Sequence, residues 1–197
     1  SDSSLEDTKI KFHGFKNGEH RFRLLPAFAP DKIYAKIRLH WGYQDEDGKN
    51  KVIVCLKNSE QDQAECPICN VRNHIVSQID TLKSAYQMTL EIQEQIKQLE
   101  EQAGNYRAKP TYLWNILTEE GEQKVLQLSW NGHDSLHELW KFWRKNNKID
   151  IANPYYNYLI YVNRTGQKAK TRYHYQVLDG FTKQVSFSAL TNLDDIY

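Results

Sequence analysis

A chain of 197 residues is long enough for one well-cored domain, or for a domain carrying a sizeable insertion. With 26 basic and 25 acidic residues and a formal net charge of +1, the overall balance points to no polyanion or polycation as partner, so charge has to be read locally. Three cysteines fit a reducing cytoplasm better than a secreted disulfide scaffold, and neither a membrane-spanning apolar run nor a signal-peptide pattern is present, which argues against membrane and secreted classes.

Residues 1–9 are polar and read as a loose lead-in. His20 to Phe28 alternates around Phe22 and Leu24 and meets Pro26, which predicts a strand and its end. Ile33 to Tyr43 alternates more clearly. Ala35, Ile37, Leu39, Trp41 and Tyr43 share one face, and Lys36, Arg38 and His40 the other, which is the period of a half-buried strand. Asp45 to Asn50 (DEDGKN) is a hairpin turn, and Lys51 to Leu56 returns as a strand that carries Cys55.

From His40 to Cys69 the chain reads His-x14-Cys-x10-Cys-Pro-Ile-Cys, and every cysteine of the sequence lies inside it. Cys66 and Cys69 can bite one metal because a tight knuckle turns both sulfurs the same way, with Pro67 suited to the turn. Cys55 and His40 complete a tetrahedron, so the spacing predicts one structural Zn2+ held by His40, Cys55, Cys66 and Cys69. The first two ligands are expected on paired strands and the other two in the following loop. The alternative is a redox Cys-x-x-Cys pair beside a buried cysteine and an unrelated histidine.

Between Pro67 and Gly104 the pattern turns helical. Ile75, Ile79, Leu82 and Tyr86 fall at helical spacing, and Ile92, Ile96 and Leu99 follow after a phase shift near Met88 that marks a break into two helices. The simplest reading of this stretch is an amphipathic insertion folding back on itself or on the core. Thr111 to Leu117 and Lys124 to Trp130 read as a hairpin, and Asp134 to Arg144 as an amphipathic helix with Leu136, Leu139, Trp140 and Trp143 on one side. Tyr155 to Asn163 and Lys170 to Leu178 form another hairpin around Gly166, and Gln184 to Phe187 a short strand. The sum is a mainly β chain with α insertions. It is expected as a single five-stranded Greek-key barrel of the OB type over 1–197, holding a zinc subdomain at 40–69 and a helical insertion at 70–104.

Basic and aromatic residues interleave in three places. These are Lys36, Arg38, Trp41 and Tyr43; then Tyr106, Arg107, Lys109, Tyr112 and Trp114; then Arg164, Lys168, Lys170, Arg172, Tyr173 and Tyr175. Single-stranded nucleic acid needs cations spaced along its backbone and flat rings for unstacked bases, and these clusters offer both. The competing reading of each is cross-strand tyrosine packing with solvated charges. A further run, Lys141, Arg144, Lys145 and Lys148, also fits a basic helix end that complements the dipole. Neither a Gly-rich phosphate loop nor a nucleophile elbow occurs, and the remaining histidines are scattered. The chain therefore reads as a binding protein rather than an enzyme, with no small-molecule substrate and no membrane partner.

The ordered run FRLLP (Phe22–Pro26), His40, a hairpin, Cys55, CPIC (Cys66–Cys69) and RAKPTYLWNIL (Arg107–Leu117) resembles the core of the single-stranded DNA-binding proteins of T-even-type bacteriophages, across roughly residues 15 to 188. The resemblance implies an OB-fold with a zinc subdomain and single-stranded DNA in the cleft between them. It also implies a protein that coats and protects DNA in replication, recombination and repair, in the cytoplasm of an infected bacterium. Replication or recombination proteins are then expected as further partners. It assigns the zinc to His40, Cys55, Cys66 and Cys69, and DNA contact to Arg107, Lys109 and Tyr112. The metal spacings are longer here by a residue or two, Ala108 and Leu113 stand where the family has a basic and an aromatic residue, and the 71–103 helices exceed the usual connection. The ends, SDSSLED and LTNLDDIY, lack the family's basic arm and acidic tail, which leads to an expectation of weak coupling between neighbours on a strand. The rival expectations are a zinc-bearing protein-interaction module and an RNA-binding OB protein.

Overall fold

The computed structural model describes residues 12–26, 32–44, 46–48, 50–57, 65–85, 87–153 and 158–178, without the side chains of Asn50 and Lys168. The expected lead-in at 1–9, Phe28, Tyr86, the start of the Tyr155 strand, the 184–187 strand and both chain ends lie outside the described residues. The chain divides into two compact units. One comprises Ser1–Lys36 with Thr111–Tyr197, and the other Ile37–Pro110. His40, Cys55, Cys66 and Cys69 and the long helical stretch thus fall in one unit together.

The first unit is built on a mixed, open sheet. Its elements are β1 (Phe12–His13), β2 (Gly18–Leu24), β5 (Lys109–Thr118), β6 (Gln123–Leu128), β7 (Leu159–Thr165) and β8 (Arg172–Leu178). They run in the order β1-β6-β5-β2-β7-β8, with β1 parallel to β6 and the other pairs antiparallel. An open path with two ends and one parallel pair is coarser than the closed five-stranded barrel expected from sequence. β5 is central. It bonds β2 on one side and β6 on the other, and every residue from Thr111 to Thr118 is buried. Its Tyr112, Trp114 and Ile116 enter a core with Phe22, Leu24, Leu126, Leu128, Ile160 and Val162.

Helix α3 (Trp130–Phe142) closes that core with fully buried Leu136, while Leu139, Trp140 and Trp143 pack as half-buried partners, as their spacing predicts. Truncating a buried leucine of this kind costs about 2–5 kcal/mol. The helix starts earlier than the sequence reading has it: Trp130 is its first residue, not the last of a strand. It continues into a π-helical turn, Trp143–Asn147, which ends on Lys148 in the left-handed region at φ 57°. Gly132 lies where a Cβ would stand 3.0 Å from the Tyr173 ring and 3.1 Å from Leu128, so its missing side chain is what admits β8 so close to α3.

The second unit contains most of β3 (Ala35–Gln44), β4 (Asn50–Val54), α1 (Pro67–Lys83) and α2 (Leu90–Asn105). β3 and β4 form the expected hairpin, with Leu39 opposite Val54 and His40 opposite Ile53. The register then shifts between His40 and Tyr43, where Gly42 takes φ 88°. This bulge breaks the alternation. Ala35, Ile37 and Leu39 are buried as expected, but Trp41 is turned outward and exposed.

The helical stretch breaks at the predicted place, with Met88 between the two helices. Thr89 caps α2 by accepting the Ile92 amide at 3.3 Å. The pair closes on its own small core of Ile75, Ile79, Ile96 and Ala103, flanked by Leu82, Ile92 and Leu99. Lys83 and Glu100 bridge across it at 2.8 Å, both half exposed, so solvent screens the pair and the apolar core carries the packing. Among the described residues, no helix is long and apolar enough to cross a membrane.

Candidate metal centre and nucleic-acid interface

His40, Cys55, Cys66 and Cys69 converge, with one ligand atom from each lying within 4.8 Å of the others. The Cys55 and Cys69 sulfurs are 3.5 Å apart, Cys66 Sγ is 3.4 Å from His40 Nε2, and Cys69 Sγ is 3.7 Å from the same nitrogen. A tetrahedron built on metal–sulfur bonds of about 2.3 Å and metal–nitrogen bonds of about 2.0 Å has edges of roughly 3.5–3.8 Å. The ligand atoms therefore already stand close to the corners of a four-coordinate site. All three cysteines are free thiols, and Cys55, Cys66 and His40 are buried.

Each ligand is placed by a distinct local device. His40 sits on the last regular pair of β3 before the bulge, and its ring turns away from the Ala35–Leu39 face as the alternation requires. Cys55 follows β4 directly, and its amide donates to the Arg38 carbonyl at 2.9 Å, which extends the hairpin by one bond. Cys66 and Cys69 are not in a loop, contrary to the sequence reading. Cys66 is the N-cap of α1, Pro67 opens the helix, and Cys69 lies in its first turn. Proline is tolerated there because those first amides have no helical acceptor, and the positive end of the helix dipole favours thiolates.

Cys66 and Cys69 are pushed in opposite directions by their surroundings. Burial pushes the Cys66 thiol up, but hydrogen bonds from the Cys69 and Leu56 amides and from His40 outweigh it and bring Cys66 down to about 6. Burial, reinforced by Cys55 and Cys66, pushes Cys69 up to about 12. Crowded thiols that cannot all ionise are what a divalent cation relieves, since it deprotonates the sulfurs it binds. His40 Nδ1 is buried with no hydrogen-bond partner among the described residues, and Nε2 is the nitrogen that faces the sulfurs. The group can hold one metal ion in a closed shell.

The nucleic-acid candidates separate into two sets. Lys36, Arg38, Trp41, Arg107, Lys109, Lys170 and Arg172 are exposed. Tyr112, Trp114 and Tyr175 are buried in the core of the first unit, so they cannot offer a ring face to a base. The reason is that β5 is covered on both faces, whereas strand periodicity reports only that one face is. Tyr106 packs half-buried on the helical pair, and Tyr43 has a buried hydroxyl without a partner among the described residues. Burial, with Tyr106, Cys66 and Cys69 nearby, raises the Tyr43 pKa. Tyr173 is half-buried beneath Arg164, whose guanidinium lies 5.9 Å from the ring centre, and the Arg164 Nε donates to its hydroxyl at 3.4 Å. Lys168 falls in a 3-10 turn, and its side chain lies outside the description.

One aromatic arrangement escaped the sequence reading. Tyr112 stacks on His133 at 3.7 Å and 5°, His133 on His137 at 5.3 Å and 20°, and His137 on Trp140 at 5.6 Å and 17°. Arg144 then lies 4.7 Å over Trp140. The spacing of 133, 137, 140 and 144 along one helical face was the available signal. Burial, then His137, Lys36 and Lys141, lowers His133 to about 4, which favours the neutral ring near neutrality.

Comparison with protein-family models, curated proteins and solved structures finds no match.

Proposed function

We propose that this chain is a zinc-containing, non-enzymatic protein that binds single-stranded DNA with little base preference. In this reading it coats strands exposed during replication, recombination and repair. The observation that carries the reading is the β3 bulge. His40 is buried in the sulfur cluster while the next residue, Trp41, is exposed, as is Arg38 on the same strand. A closed metal site is structural rather than hydrolytic, and here it would fix the hairpin that presents the ring and the cation. Exposed Arg107 and Lys109 lead into β5 and add phosphate contacts. The ordered motifs that resemble the T-even-type phage proteins support the same reading, including an OB-type arrangement of the first unit.

The experiment is a filter-binding comparison of poly(dT), duplex DNA and RNA at matched salt, with tryptophan fluorescence as a second readout. Preferential, salt-dependent binding of poly(dT) is expected. Equal or tighter duplex binding, or binding to none of them, overturns the proposal. RNA preference would instead select the RNA-binding alternative.

A further inference from the structure

The end of α3 carries three features that neither the core nor the metal centre explains. Phe142 is 55 % exposed at the helix terminus, on the side of α3 away from Leu136, Leu139 and Trp140, which pack on the core. The helix then widens into the π turn Trp143–Asn147, a rare form that costs backbone regularity and is frequent at functional sites. The turn ends on Lys148 at φ 57°, a left-handed position that glycine or asparagine fills at less cost than lysine. A long cation held at an unfavourable backbone position points to a use for its charge.

The surroundings are cationic and preorganised. Lys141, Arg144, Lys145 and Lys148 fall within eight residues with no carboxylate among them. Arg144 lies over Trp140, and the Trp140 indole nitrogen donates to Asp150 at 3.0 Å, which fixes the ring. The near-parallel stack from Trp140 back through His137 and His133 to buried Tyr112 ties this surface to the core. Carboxylates are present nearby: Glu138 pairs with Lys141, and Asp150 is occupied by Trp140 and the Ala152 amide.

We infer that the end of α3 is a single-strand contact surface, with Phe142 as a platform for an unstacked base and Arg144, Lys145 and Lys148 as phosphate contacts. A flat exposed ring within a short run of cations is the pairing that a flexible polyanion with exposed bases needs, and a duplex, with its bases stacked inside, has no use for the ring. This inference rests on the proposed single-strand binding and locates part of it away from the metal-bearing unit.

The test uses the intact, metal-loaded chain and a dT oligonucleotide titrated over a range of salt. Phe142→Ala is expected to weaken binding by roughly 5- to 150-fold, the fold-change of one lost base stack. Lys148→Gly is the sharper variant. Relief of the left-handed backbone should raise the thermal midpoint by about 2 °C, while the salt slope falls by about 1. A stabilised protein with weaker, less salt-sensitive binding cannot be explained by damage to the fold. If the unaltered chain binds dT and both variants match it in affinity and slope, the inference fails while the proposed function stands. If the unaltered chain binds no single strand, the proposed function fails first. If Phe142→Ala weakens a protein ligand but not dT, the surface is a protein-docking site and the inference is overturned.

Discussion

The rings of Tyr112 and His133 lie 3.7 Å apart and 5° from parallel, with both residues buried. A tyrosine that the sequence offers for DNA is therefore clamped by a helix against the interior. Tyr112→Ala should act on stability, at about 3–5 kcal/mol for a buried large-to-small change, rather than selectively on binding. Trp41→Ala should do the reverse, with stability within about 0.5 kcal/mol and affinity for dT reduced by about 1–3 kcal/mol. Denaturant melts beside fluorescence titrations separate the two. Equal loss of affinity at matched stability would contradict the assignment.

His133 makes the fold sensitive to acid. Its folded pKa of about 4 lies below the ordinary 6.5, so the unfolded chain takes up the proton first as pH falls. Stability is complete above pH 6.5 and declines toward the folded value. The groups facing the ring are His137 and Lys141 on α3, Lys36 on β3, and the Tyr34 and Tyr112 rings; the named cations all oppose protonation. Between pH 7 and 5 the expected loss is about 2 kcal/mol, read by urea melts, and His133→Phe should flatten that slope.

Protein purified without chelator should contain one zinc per chain by elemental analysis, and single serine substitutions of Cys55, Cys66 or Cys69 should abolish it. Chelation is expected to loosen β3, β4 and the start of α1 while most helical signal survives, because α1 and α2 share a core without metal ligands. Far-ultraviolet circular dichroism with hydrogen exchange at 40–69 reads both parts. Collapse of all helical signal on chelation would count against the separation.

Two glycines should respond in opposite directions to alanine. At Gly132 the new methyl group meets the Tyr173 ring at 3.0 Å, and that ring is held by Arg164 and stacked on Tyr175. Overpacking should outweigh the better helix propensity and lower stability by about 1–3 kcal/mol, read as a lower thermal midpoint. At Gly104 in α2 nothing stands within 4 Å, so alanine should stabilise by up to about 1 kcal/mol. Thermal melts of both variants test the pair.

The Cys/His cluster that could hold a metal ion was legible because chelation imposes a covalent-scale spacing that survives in the sequence, as Cys66-Pro-Ile-Cys69 does. The helical break near Met88 was legible because helix phase is local. The fate of Tyr112 and Trp114 was not, since the second cover over β5 comes from residues distant in the chain. Trp130 passed for a strand end because tryptophan suits strands, and Ser129, its N-cap, gives no side-chain cap hydrogen bond. Trp41 was placed on the buried face because alternation extrapolates straight through a bulge that only Gly42 hints at. The mixed character of the first sheet depends on a two-residue parallel strand, Phe12–His13, too short to carry a period.

The helical pair carries its packing in its own interior, and its two helices begin and end at fixed points, Cys66 at the metal cluster and Lys109 at the start of β5. Between them the chain goes out and comes back. Matched additions of whole helical turns to α1 and α2 would lengthen an arm and shift no anchor, and matched deletions would shorten it in the same way. Length is then expected to be adjustable without moving either anchor, and exposed Met88, just before α2, marks where an inserted tag should be tolerated.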